Sequence, residues 1–332
     1  MLIVDAHLDL AYNALRGREV LRPAARQTPD DEGIPSVGLP DLHAGSVRLI
    51  CATIFVEPSI KGGPGYTNAG EADVAGRRQV DWYMTQERAD ALRIVRSARD
   101  LPMDDAPGGA LPAIMLLEGA DPIGTPADAA MWFDMGIRIV GLAWKGTRYA
   151  GGTGEPGPLT ADGVALVREL DNVHIIHDAS HLAEESFWQL LDLSTGPVIA
   201  SHSNCRSIVP TDRQLSDDMI RAIVKRGGVI GINFFDKFLL RPAIYKTRRA
   251  ALADVVEHMK HISDLAGNAR HVAIGTDMDG GLGRDQIPQE IITSADLPRL
   301  ADALHAGGFR DDDISGIMGL NWVRYFRRNL PA

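Results

Sequence analysis

Residues 173–203 read VHIIHDASHLAEESFWQLLDLSTGPVIASHS. Two short apolar runs, Val173 to Ile176 and Val198 to Ala200, flank a stretch of helical character from Ala183 to Leu193. Neither run alternates polar with apolar residues in the manner of a half-exposed strand, so both read as parallel strands covered on two faces. A strand, a helix and a second parallel strand make one βαβ unit. Each strand closes on polar residues: His177-Asp178-Ala179-Ser180-His181 after the first, Ser201-His202-Ser203 after the second.

The unit recurs in both directions along the chain. Further runs cover Leu2 to Ala6, Val47 to Val56, Ala113 to Leu117, Ile137 to Ala143, Gly228 to Asn233 and His271 to Gly275, which makes eight in all. Helices are expected over Gly70 to Ser97, Pro126 to Met135, Ala161 to Leu170, Asp217 to Arg226 and Arg248 to Leu265. Several carry start signals: Thr125 before Pro126, Thr160, and Ser216 before Asp217 and Asp218. Eight strands alternating with helices in 332 residues predict an α/β fold, a single (β/α)8 barrel of TIM type spanning 1–332 as one domain. A doubly wound open sheet is the alternative, but no GxGxxG follows the first strand. The least regular stretches, 17–41, 57–66, 148–158 and 279–288, all follow strands and are expected over the C-terminal mouth, where barrels of this kind hold their sites.

Composition narrows the function. The formal charge is −10, which argues against general affinity for nucleic acid or an anionic membrane. Cys51 and Cys205 have neither a disulfide framework nor zinc-site spacing. No run is long enough to span a membrane, and MLIVDAH has no basic leader, so a cytoplasmic location is expected.

Polar residues end other strands too: His7-Leu8-Asp9 the first, Glu118-Gly119 the third, Thr276-Asp277-Met278-Asp279 the eighth. Side chains two apart on an extended backbone share a direction, so His7 and Asp9 can grip one ion. Imidazoles with carboxylates suit zinc or a similar divalent metal, and one carboxylate can bridge a pair of ions. Singly, each residue reads as a loop hydrogen-bonding group or helix cap. Five ligand types at one end of four strands fit that reading poorly, because burying several uncompensated charges near one axis is costly. A dinuclear metal hydrolase therefore stands beside the caps, with His177 and His181 both open as the ligand after strand five.

The chain resembles the renal or membrane dipeptidase family of zinc peptidases. The resemblance runs through DAHLDL, LLEG, DASHLAEESFW, PVIASHSNCRSIVPTDRQLSDDMI, RGGVIGINFF, IGTDMDG and GLNWVRYF, in order and from end to end. It implies a metal-dependent barrel that hydrolyses dipeptides, often with a D-residue at the C-terminal position, through a dinuclear zinc-activated hydroxide. Two Zn2+ or other divalent ions are implied: His7 and Asp9 on the first, Glu118 bridging, His181 and His202 on the second. The resemblance prefers His181 to His177 because it lies past the strand and just before its helix. Asp277 is implied as acid/base and Arg213 as the group that binds the substrate carboxylate. At the position after strand four where vertebrate members carry histidine, this chain has Trp144, expected to form an apolar wall. Lys145, where asparagine is usual in bacterial relatives, is expected at the surface or on substrate rather than as a carboxylated bridge, since Glu118 supplies one. The partner implied is a dipeptide-sized molecule, and a homodimer is left open. A related amidohydrolase acting on N-acyl amino acids, lactams or other amides is the alternative, and a degenerate binding barrel the third reading.

Overall fold

Alternate residues of the strand Val47–Phe55 go to different cores: Leu49 and Cys51 to an inner one, Ile50, Ala52 and Ile54 to an outer one. That division is what a strand pleat produces when both faces are covered. The computed structural model describes residues 1–102 and 108–332. Its strands are β1 (Ile3–Leu8), β2 (Val47–Phe55), β3 (Leu92–Ile94), β4 (Leu111–Glu118), β5 (Ile137–Gly141), β6 (Ile176–Asp178), β7 (Val198–Ile199), β8 (Ile230–Ile232) and β9 (Val272–Ile274).

A parallel sheet runs β1-β2-β4-β5-β6-β7, in register from Ile50 opposite Ala113 to Phe55 opposite Glu118. β8 and β9 pair in parallel, and a parallel bridge between Ala200 and Ile230 joins them to β7. The circuit closes where Asp277 N–H donates to His7 O at 3.3 Å and the Thr276 hydroxyl donates to Asp5 Oδ2 at 2.6 Å. Eight strands thus form the (β/α)8 barrel, curled with helices outside it. The fifth expected strand is displaced from Val173 to Ile176 onto Ile176–Asp178, because Val173 caps the preceding helix and His174 turns left-handed at φ 58°.

β3 is the ninth strand, and it corrects the expectation that one helix continues to Ser97. The helix Ala69–Arg88, capped by the Asn68 side chain on Glu71 N–H, ends where Asp90 turns left-handed at φ 56°. Leu92 and Ile94 then reach the core, and β3 pairs with β4. The cap signals at Thr160 and Ser216 act as expected, each hydroxyl accepting the backbone N–H three residues on.

The barrel interior holds Val4, Ala6, Leu116, Ile139, Ile176 and Ile199. Its floor is closed by the helix Asn321–Asn329, for which the periodicity gave no expectation. Trp322 and Phe326 of this helix are fully buried, Trp322 Nε1 donating to Ile274 O at 2.9 Å. Gly319 is needed just before it, since a Cβ there would lie 2.7 Å from Leu2 O. With its floor plugged, the barrel is open for chemistry at the C-terminal end. Cys51 and Cys205 are buried free thiols, and among the described residues no helix is long and apolar enough to cross a membrane.

Candidate active site

At the C-terminal ends of the strands, side chains from β1, β4 and the segments after β6, β7 and β9 converge. Glu118 ends β4 and uses both oxygens. Its Oε2 lies 3.3 Å from His7 Nε2, and its Oε1 lies 3.2 Å from His181 Nε2 and 3.4 Å from His202 Nε2. His7 Nε2 is also 3.7 Å from Asp9 Oδ2 and 3.9 Å from Asp277 Oδ1. Three overlapping groups result: His7, Asp9 and Glu118; Glu118, His181 and His202; His7, His202 and Asp277. Within each, the ligand atoms lie within 4.8 Å of one another.

His7 and Asp9 come together by a different route from the regular strand expected. The pairing of β1 with β2 shifts register between Asp5 and Leu8, and Asp9 has left the extended conformation, at φ −86° and ψ 47°. His181 and Asp277 sit in the left-handed region, at φ 65° and 59°, which is uncommon away from glycine although His and Asp tolerate it better than most. Such conformations cost of order 1–3 kcal/mol each and cluster where a side chain must be aimed. His177 is aimed elsewhere: its Nε2 lies 2.7 Å from Asp171 Oδ1, outside all three groups. Lys145 lines the cavity onto which these groups open, its Nζ 5.8 Å from the Trp144 ring centroid.

Electrostatics show a site short of positive charge. Burial alone would lower the His7 pKa, but the carboxylates of Glu118, Asp9 and Asp277 hold it at about 10. Burial pushes Asp9 well above the usual carboxylate range and Asp277 up to about 7. In Glu118 burial is outweighed first by the charge on His7 and then by the close approach of the surrounding imidazoles, so its carboxyl lies well below the usual range. Burial, with help from Arg213, lowers His181 to about 4; His202 is driven well down by burial, then by His7 and Arg213. Three buried carboxylates, Asp9, Glu118 and Asp277, share only His7 and Arg213 as cations beside them. His7 Nε2 and Asp9 Oδ1 lack hydrogen-bond partners although both are buried. Clustered acceptors, an excess of negative charge and imidazole nitrogens aimed inward fit divalent cations.

These groups open into a cavity of about 400 Å3, a dipeptide-compatible size, lined also by Tyr12, Glu32, Phe55, Glu57, Trp144, Thr153, Arg213, Phe235, Phe238 and Gly280–Leu282. Each of the four irregular stretches expected over the mouth supplies part of this lining: Glu32, Glu57, Thr153 and the 280–282 turn. Trp144 is half-buried, with its ring 5.1 Å from Phe55 and 6.2 Å from His181. Arg213 is 4% exposed; Nη1 donates to Ser203 Oγ at 3.0 Å and Nη2 to His202 O at 2.6 Å, while Nε has no partner.

The strand-end reading assigned no role to two supports. Asn233, just past β8, donates from Nδ2 to Asp277 Oδ2 at 2.8 Å; its position at a strand end was the available signal. Asp279 accepts hydrogen bonds from Ser36 N–H, Ser36 Oγ–H and Val37 N–H and lies 3.4 Å from Arg18 Nη1, tying the loop of residues 17–41 to the last strand. No local pattern announces a contact made across more than 240 residues.

Comparison with known proteins agrees with this architecture. The family profile "Membrane dipeptidase (Peptidase family M19)" matches residues 1–330. A crystal structure named as dipeptidase AC, a metallopeptidase of that family, superposes with a TM-score of 0.85 at 28% identity, covering 100% of this chain and 99% of the other. A metallopeptidase of Rhodobacter sphaeroides, liganded with a phosphinate mimic of the dipeptide L-Ala-D-Ala, superposes at 0.84 with 26% identity over 99% of both chains. An uncharacterized protein in the pqqA 5′ region of Klebsiella pneumoniae is 32% identical over 72% of this chain and 89% of its own length. The matched stretch spans only 52% and 58% of two uncharacterized dipeptidases of Schizosaccharomyces pombe. Matched from residue 1 to residue 330, the chain belongs to the membrane dipeptidase family of metallopeptidases, peptidase family M19.

Proposed function

We propose that residues 1–332 act as one catalytic unit, a dipeptidase that uses two divalent cations, zinc by donor chemistry, to hydrolyse dipeptides with a free C-terminal carboxylate, L,D pairs among them. One observation carries this reading: the two oxygens of Glu118 face different partners, Oε2 toward His7 and Oε1 toward His181 and His202. His7 and Asp9 would hold one cation, His181 and His202 the other, and Glu118 both. Cations held there acidify water and polarise a carbonyl oxygen.

The remaining work falls to the chain. Asp277, beside the cluster and oriented by Asn233, would take a proton from the attacking water and return it to the leaving amine. Arg213 has three N–H groups left after its contacts with Ser203 and His202, enough to take a terminal carboxylate in a two-point contact that orients the dipeptide. Trp144, Phe55 and Phe238 would keep bulk water from the bond being cut. The L,D preference is suggested by the ligand of the Rhodobacter sphaeroides relative.

Elemental analysis of the purified protein, paired with a panel of L,L and L,D dipeptides and their C-terminal amides, tests the proposal. Expected are two metal equivalents and cleavage of free dipeptides, with amides poor. Equal cleavage of amides would transfer the assignment to the amidohydrolase reading; a metal-free, inactive protein would leave only a binding barrel.

A further inference from the structure

Behind the histidines, one hydroxyl has more neighbours than it has protons. Ser201 is fully buried, and its Oγ lies 2.5 Å from Asp178 Oδ2, 2.7 Å from His202 Nδ1 and 3.3 Å from His7 Nδ1. Ser180 Oγ, at 3.4 Å, is the most distant polar neighbour. A serine hydroxyl donates once and accepts through two lone pairs. Asp178 Oδ1 accepts from the backbone N–H groups of Ser180 and Ser201, at 3.0 and 2.9 Å, so this carboxylate is placed to accept. The Ser201 proton therefore goes to Oδ2 in the shortest of the contacts, and the hydroxyl oxygen has only lone pairs left for the two imidazoles. Both Nδ1 atoms must be donors.

We infer that Ser201, locked by Asp178, is a positioning residue that holds His202 with its proton on Nδ1, so that Nε2 is presented to a cation shared with Glu118, while the same hydroxyl oxygen accepts from His7 Nδ1. The imidazole form is set by the hydrogen bond made at the opposite nitrogen, and partners of this kind are worth about 10- to 100-fold in metal affinity. The fold also fixes the Ser201 backbone. A Cβ at Gly231 or Gly275 would lie 2.0 or 1.8 Å from Ser201 O, so β8 and the residue just past β9 press bare backbone against it. On the far side of the ring, His202 Nε2 faces His181 Nε2 at 3.1 Å, where two lone pairs would repel without a proton or a cation between them. Neither Ser201 nor Asp178 lines the cavity, so a substrate contact does not explain them.

The role toward a cation rests on the metallo-dipeptidase reading, whereas the proton positions do not. The test uses the full-length protein labelled with 15N-histidine and stripped of metal by chelation, with long-range 15N–1H spectra reporting which ring nitrogens carry protons and zinc competition titrations giving affinity. The wild type is expected to show His202 protonated on Nδ1 and bare on Nε2. Ser201→Ala should release His202 to a mixture of forms and weaken zinc binding by about 10- to 100-fold. Asp178→Asn keeps volume and gives a variant independent of cavity formation. Its amide would donate to Ser201 Oγ, turn the hydroxyl proton toward the nearer imidazole, and move the His202 proton to Nε2 with a comparable loss of zinc affinity. A wild type with His202 protonated on Nε2, or variants that keep native near-ultraviolet circular dichroism and unchanged ring protonation, would overturn the inference. A wild type with the expected protons but no zinc uptake would support the relay and overturn the metallo-dipeptidase reading instead.

Discussion

Asn233 Nδ2 donates to Asp277 Oδ2 at 2.8 Å, which leaves Oδ1 as the oxygen facing His7. The carboxylate of Asp277 is therefore divided: one oxygen fixed by the wall of the barrel, the other free for a proton. On the proposed mechanism Asp277→Asn keeps the metals and lowers turnover by ~10² or more. Loss of metal in that variant would make Asp277 a ligand. Asn233→Ala, which frees Oδ2, is expected to lower kcat by about 10-fold with little change in KM, since it disturbs aim rather than binding.

Glu118 lies within 3.5 Å of all three site histidines. Glu118→Gln keeps the shape and removes the charge, so metal stoichiometry should fall together with rate. Elemental analysis and turnover of the same preparation check this. Two retained metals at full activity would remove Glu118 from the site.

His258 gives a pH dependence independent of the chemistry. It is fully buried, accepting Cys205 N–H at Nδ1 and lying 3.1 Å from Leu239 O through Nε2, and burial lowers its pKa to about 4. The unfolded chain takes up a proton near pH 6.5 while the folded one resists until about 4, so between those values the unfolded state binds more protons. Stability from this group is therefore complete above pH 6.5 and is lost as pH falls toward 4, by up to ~3 kcal/mol. Melting curves of the wild type and His258→Gln should differ most at neutral pH and converge near pH 4.5. A constant difference would show that His258 does not titrate in this window.

The strands were legible because parallel strands in a barrel are buried on both faces, and runs such as Ile114 to Leu117 show that burial directly in their composition. β3 was not, since its end of the helix is set by a left-handed Asp90 rather than by glycine or proline. Five ligand types were visible as strand-end residues, yet His177 satisfied the same pattern and proves to belong to Asp171. What separates it from His181 is a backbone turn at φ 65°, which the letters do not encode. The role of Ser201 was equally hidden: its neighbours Asp178 and His7 come from other strands, and only the closed barrel counts their protons against each other.

Arg213 and Trp144 together should set the substrate. Arg213 is buried at the edge of the cavity, spends one Nη1 and one Nη2 contact on Ser203 and His202, and keeps Nε unpaired. A guanidinium so placed can offer two parallel N–H groups to a carboxylate, which lysine cannot do. Arg213→Lys is expected to weaken cleavage of free dipeptides by on the order of 10- to 100-fold, the loss of a contact worth ~1.5 to 3 kcal/mol. C-amidated dipeptides should already be poor and change little. Equal loss on both would mean that Arg213 supports the fold around His202 instead of reading the carboxylate. Trp144 packs 5.1 Å from the Phe55 ring, and its indole N–H, unlike an imidazolium, has no acidic proton to give to a carbonyl. Trp144→His should therefore reorder the dipeptide ranking while leaving metal content intact. A fall in metal content would mean that the wall formed by Trp144 against His181 holds the ligand in place, and that its contribution to specificity is indirect.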